Sequence, residues 1–95
     1  MTGFSVPSPN LYECSDGYSV EVLGQTGLAY REEGKCMFVD SEVLAPPAGI
    51  LVYQDSIRDW QPPHQGQPLA EGDRSRILGN ILKALESQGI DVQVI

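Results

Sequence analysis

The chain has 95 residues, with 13 acidic side chains against 6 basic ones, a formal net charge of −7 and a hydrophobic fraction of 41%. That is one domain's worth of ordinary globular composition, without room for a second core or a large internal ligand cavity. The negative balance repels a phosphate backbone and an anionic bilayer, which argues against nucleic acid and membrane as partners; it suits a basic protein partner, or serves only to keep the protein soluble.

Met1 to Asn10 has neither the basic start nor the apolar run of a secretory signal. Ser5-Val6-Pro7-Ser8-Pro9 reads as a Ser/Pro-rich tail, so residues 1–12 are expected to be disordered and 13–95 to form a single domain. No stretch approaches the roughly 20 apolar residues of a membrane-spanning helix. A cytoplasmic protein is the expectation, with Cys14 and Cys36 as reduced thiols; a disulfide between them would require that they meet in space.

The first half reads as strands. Tyr18, Val20 and Val22 alternate with Ser19 and Glu21, and Leu28 and Tyr30 alternate with Ala29 and Arg31. Between them Gly24-Gln25-Thr26-Gly27 marks a turn. Glu33-Gly34 is a hairpin turn signal. Cys36 to Val43 follows as a third strand, with Met37, Val39 and Val43 on one face and Cys36 and Phe38 on the other. Pro46-Pro47-Ala48-Gly49 ends it. Ile50-Leu51-Val52-Tyr53 is the most continuous apolar run and predicts a central strand buried on both faces.

One helix is predicted over residues 71–88. Ile77, Leu78, Ile81, Leu82 and Leu85 make a single apolar stripe, Glu71 and Asp73 suit the first turn, and Gly89 suits the position just past the end. Ile90, Val92 and Val94 alternate with Asp91 and Gln93 in a last short strand. The expected fold is α+β: an antiparallel sheet of four to five strands with one C-terminal helix packed on a face.

No catalytic constellation is visible. His64 sits in a Pro-rich loop, and neither Cys14 nor Cys36 lies in a nucleophile motif. The three are too widely spaced for the paired ligands of structural zinc, and the glycines form no nucleotide cradle, so neither metal nor cofactor is expected. Glu32-Glu33 falls at a turn and reads as solvated rather than as an acid–base pair. The densest mixture of polar and aromatic groups is Asp55, Arg58, Asp59, Trp60 and His64, beside Pro62-Pro63. Trp and Arg are enriched at binding hot spots, which makes this segment the candidate partner-binding site. Trp60 capping the edge of the core, with Asp55 and Asp59 satisfying turn amides, is the alternative.

From Tyr30 to Ile95 the chain resembles a small family of predicted bacterial immunity proteins from polymorphic toxin systems. The matching segments are Tyr30-Arg31-Glu32-Glu33-Gly34-Lys35, then Val52 to Trp60, Pro62-Pro63-His64, and a C-terminal helix ending in Gln88-Gly89-Ile90. The run from Asp55 to His64 is the most distinctive part. The resemblance implies a non-enzymatic intracellular protein that binds and blocks one cognate toxin domain, and that domain is expected to be basic. At the helix start the family pattern carries a Ser or Thr cap, where this chain has Ala70-Glu71-Gly72-Asp73. Two other functions stay open on residues alone: a small-molecule binder or minor enzyme with a pocket near Trp60, His64 and Cys36, and a homodimer joined through an exposed edge strand.

Overall fold

The computed structural model of the protein describes residues 3–95. Seven strands and one helix follow in chain order: β1 (Phe4–Ser8), β2 (Leu11–Cys14), β3 (Tyr18–Val22), β4 (Thr26–Glu32), β5 (Lys35–Val43), β6 (Ile50–Val52), α1 (Asp73–Glu86) and β7 (Val92–Val94). All seven strands belong to one sheet, ordered as they occur in the chain. Every neighbouring pair is antiparallel except β6 and β7, which run parallel. The class is α+β as expected, but the sheet is larger than the expected four to five strands, and it is mixed rather than purely antiparallel. The parallel pairing follows from the helix: α1 carries the chain back along the sheet, so β7 enters in the same direction as β6.

The other addition lies at the N-terminus. Phe4–Ser8, inside the 1–12 stretch expected to be a tail, and Leu11–Cys14, which begins in it, are strands paired through Phe4↔Cys14, Ser5↔Glu13 and Ser8↔Leu11. Residues 1 and 2 lie outside the described residues. Proline marks this segment as non-strand in a local reading, but an edge strand tolerates it because one row of its amides faces solvent. Pro7 sits in β1, which has a neighbour on one side only. Pro9-Asn10 closes the hairpin with Asn10 at φ 68°, the residue order of a type II turn.

The β4–β5 hairpin forms where the sequence places it. Glu32 pairs with Lys35, leaving Glu33 and Gly34 as a two-residue loop at φ 50° and 77°. Two successive positive φ values match the twist of the flanking strands, which is why Gly is favoured in the second position.

Strand alternation sorts the side chains into two layers. Val20, Leu28, Tyr30, Met37, Val39 and Val52 face α1 and are fully buried together with Ile57, Ile77, Ile81 and Leu85. Four rings run across this layer from edge to interior: Phe4 meets Tyr18 edge-on at 6.2 Å, Tyr18 stacks on Tyr30 at 5.9 Å, and Tyr30 lies 6.5 Å from Trp60. β6, expected as a central strand buried on both faces, is the sixth of seven strands and buries only Ile50 and Val52; Leu51 is half-buried on the opposite face, which α1 does not cover.

α1 begins at Asp73, two residues later than its predicted start. Gly72 caps it without a side-chain hydrogen bond, and Asp73 Oδ2 accepts a bond of 2.7 Å from the Ala70 amide. That carboxylate satisfies an amide just outside the helix, in place of the Ser or Thr cap of the family pattern. The buried residues of α1 are Ile77, Ile81, Ala84 and Leu85.

Candidate functional site

The segment singled out by its composition is bolted to β5. It leaves β6 through a 3-10 turn at Gln54–Ser56 and runs along the open edge of β5. The Tyr53 amide donates to the Asp40 carbonyl (3.0 Å), the Asp40 amide to Ser56 Oγ (2.8 Å), and the Gln61 amide to the Cys36 carbonyl (2.7 Å). Arg74 on α1 clamps it from the other side, its Nε donating to the Ile57 carbonyl at 3.1 Å.

These ties decide where each candidate goes. Ile57 and Trp60 point inward: Trp60 is 3% exposed, lies against Tyr30, and carries the Lys35 ammonium 4.8 Å above its ring. Asp55, Arg58 and Asp59 are exposed, and His64 is half-buried. Arg58 and Asp59 line one shallow cleft with Leu69, Glu71 and Arg74 at the start of α1. The five residues are therefore not one surface patch. Trp60 is an anchor beneath the segment, the core-edge role that the sequence also allows.

The two cysteines are free thiols. Cys14 is buried in the core layer, while Cys36 is half-buried and alternates with core-facing Met37, so it points to the other side of the sheet. Cys36 and Trp60 thus face opposite layers and do not share a pocket. Among the described residues, no group of three or more His, Cys, Asp or Glu side chains could hold a metal ion. No helix among them is long and apolar enough to cross a membrane.

A polar network that no local pattern announces joins β4 to α1. The Tyr30 hydroxyl donates to Glu32 Oε1 at 2.6 Å and accepts from Asn80 Nδ2 at 2.9 Å. Arg76 pairs with the same Glu32 oxygen and also reaches Asp73 Oδ1 at 3.3 Å. Burial pushes the Tyr30 hydroxyl well above its ordinary range, and its bond to the Glu32 carboxylate pushes the same way. Burial alone would raise the Glu32 carboxyl, but the hydrogen bonds from Arg76 and Tyr30 outweigh it and hold the group below its usual range. Each of these polar groups has a partner within the network, which is the pattern of a structural clamp.

The face of the sheet turned away from α1 carries a different chemistry. Register places Glu13 beside Ser19, Ser19 beside Arg31, Glu21 beside Ala29, Ala29 beside Phe38 and Glu42 beside Leu51 on this outer face. Arg31 and Glu21 pair at 3.0 Å. Phe38 is 55% exposed in the middle of β5. Tyr53 continues the outer row of β6 and donates to Glu42 Oε1 at 3.0 Å, which pushes its hydroxyl above the ordinary range. Between them lies a hollow of about 350 Å³ lined by Thr26, Gly27, Asp40, Ser41, Glu42 and Tyr53. The alternation of Cys36 and Phe38 against Met37 and Val39 is legible in the sequence; that Tyr53 and the two carboxylates gather there is not.

The fold thus has one sheet face on a helix and the other open and charged. Residues 20–95 match the family model described as Immunity protein 74, and the chain belongs to that family. No curated protein and no solved structure matches it.

Proposed function

We propose that the chain neutralises a cognate bacterial toxin domain by binding it, in the cytoplasm of the cell that makes both, without chemistry of its own. The observation that carries this reading is the family match, which runs from within β3 to Ile95 and so covers the helix, most of the core and the segment after β6. The acidic balance supports a basic partner: opposite charge raises the encounter rate, and the gain is lost when salt shortens the Debye length to less than about 8–10 Å. Asp55, Arg58, Asp59 and His64 form part of the contact, on a segment whose bonds to β5 and α1 hold it rigid and so lower the ordering cost of binding. Trp60 supports that segment from below and does not itself touch the partner.

The test is co-expression with a candidate toxin domain taken from the genes beside this chain in its source genome. Wild-type chain restores growth and co-elutes with the toxin as a stoichiometric complex. Arg58→Ala and Asp59→Ala, checked for folding, each weaken binding by at least about 1 kcal/mol. Growth arrest undiminished by a well-expressed, folded chain, with no complex in solution, sinks the reading.

A further inference from the structure

The outer face of the sheet at β5 and β6 is open, apolar at its centre and acidic around it, and each of those properties has a cost. An aromatic side chain exposed in the middle of a strand forgoes burial that a polar residue would not need. Of the comparably exposed apolar residues, Val6 lies on the edge strand β1, Leu23 in a loop and Val43 at a strand end, where packing partners run out; Phe38 lies in none of these. Asp40 and Glu42 project from the same face of the same strand, roughly 7 Å apart along it, where like charges repel. Among the described residues the ion pairs are Arg31–Glu21, Arg76–Glu32 and Arg76–Asp73, so neither Asp40 nor Glu42 is neutralised.

We propose that this face is the docking surface for a basic segment of the partner protein, one of whose lysine or arginine side chains enters the Asp40–Glu42–Tyr53 hollow while its neighbour packs on Phe38. It rests on the reading that the chain binds a toxin domain, and adds where that domain sits and what it must present. The chemistry selects among occupants. A second copy would bring Asp40 and Glu42 against their own equivalents. Nucleic acid and anionic lipid would bring phosphates against the same carboxylates. A cationic side chain in the hollow meets two carboxylates and the Tyr53 ring, the combination of charge pairing and cation–π contact that guanidinium groups exploit best, while the Phe38 ring is left to its neighbour. Glu42 is already held by the Tyr53 hydroxyl, so little side-chain freedom is lost when the cation arrives.

Two measurements test this. In the first, the full-length 15N-labelled chain is titrated with a nine-residue arginine peptide and, separately, a glutamine peptide of the same length. The arginine peptide shifts the amide resonances of Gly27, Phe38, Asp40, Glu42 and Tyr53 saturably, the shifts fade with added salt, and they vanish in the D40N/E42Q double variant. Shifts confined to the Arg58–Arg74 cleft, or persisting in the double variant, overturn the docking surface. In the second, D40N/E42Q and Phe38→Ser each weaken binding to the adjacent-gene toxin domain at least about tenfold, or ~1.4 kcal/mol. Unaltered affinity in both folded variants overturns it as well. Wild-type chain that shows the peptide shifts yet never binds the toxin domain overturns the immunity reading instead, and leaves the cation-binding face standing.

Discussion

Glu32 on β4 and Arg76 on α1, 44 positions apart in sequence, share a hydrogen-bonded ion pair that fastens the helix to the sheet. The Glu32 side chain is 10% exposed and also holds the Tyr30 hydroxyl; the Arg76 side chain is 45% exposed and also holds Asp73. The pair is thus buried on the sheet side and wet on the helix side.

That asymmetry gives a pH dependence with a definite sign. Burial pushes the Glu32 carboxyl up, but Arg76 and Tyr30 together hold it below the usual carboxylate range. A carboxyl whose folded pKa is depressed adds stability that is fully present above its unfolded pKa and lost as pH falls through the folded one. Urea midpoints measured from neutral pH down to about pH 2 should therefore fall on acidification, and Glu32→Gln should flatten part of that fall. At neutral pH the variant should lose on the order of 1 kcal/mol, since water screens the Arg76 side of the pair. Parallel acid profiles for variant and wild type would show that Glu32 does not carry this part of the transition.

Ile81 and Lys83 test the face of α1. Ile81 is fully buried against the sheet and Lys83 is exposed. Ile81→Ala should cost about 2–5 kcal/mol, enough to lower the melting temperature of a domain this size by about 10 °C or more. Lys83→Ala should move it hardly at all. Equal melting curves would mean that α1 packs through a different face.

Two glycines should respond to alanine with opposite signs. Gly49 has φ +83°, and a Cβ there would collide with the Asp91 carbonyl oxygen, the group that accepts the Ile50 amide at 2.9 Å and helps to hold β7 against β6. Gly49→Ala should destabilise by more than about 1 kcal/mol. Gly79 lies within α1, and an added Cβ there would meet nothing within 4 Å. Gly79→Ala should stabilise by about 0.5–1 kcal/mol through helix propensity and a less flexible unfolded chain. Thermal melts of the two single variants decide it; a shift in the same direction for both would contradict the local geometry at one of them.

Trp60 should behave as a core residue. Trp60→Ala should cost about 3–5 kcal/mol and free the segment that it anchors. Hydrogen exchange should then quicken at the Gln61 amide, whose bond to the Cys36 carbonyl depends on the segment lying flat along β5. Trp60→Phe should retain most of the stability while weakening the Lys35 cation–π contact. A full loss of toxin binding in a Trp60→Ala protein with wild-type stability would instead place Trp60 in the interface.

Local periodicity is enough for much of this molecule. The alternations at Tyr18–Val22 and Cys36–Val43, the Ile77–Ile81–Leu85 stripe and the Glu33-Gly34 turn depend on neighbours a few positions apart, and all appear in the fold. The family resemblance is legible for a related reason: it sits in contiguous runs of residues. What tertiary structure decides is whatever needs two distant segments to meet. Pro7 can be a strand residue only because β2 gives β1 one partner and leaves its other side to solvent. Trp60 reads locally as either a surface hot spot or a cap on the core edge, and the Gln61–Cys36 and Arg74–Ile57 bonds between distant segments hold its segment where the ring lies inward. Asp40, Glu42, Tyr53 and Phe38 become one face only through the β5–β6 register. A sequence encodes its periods locally, whereas register and burial are settled by which segments gain most from packing together, and that competition is played out across the whole chain.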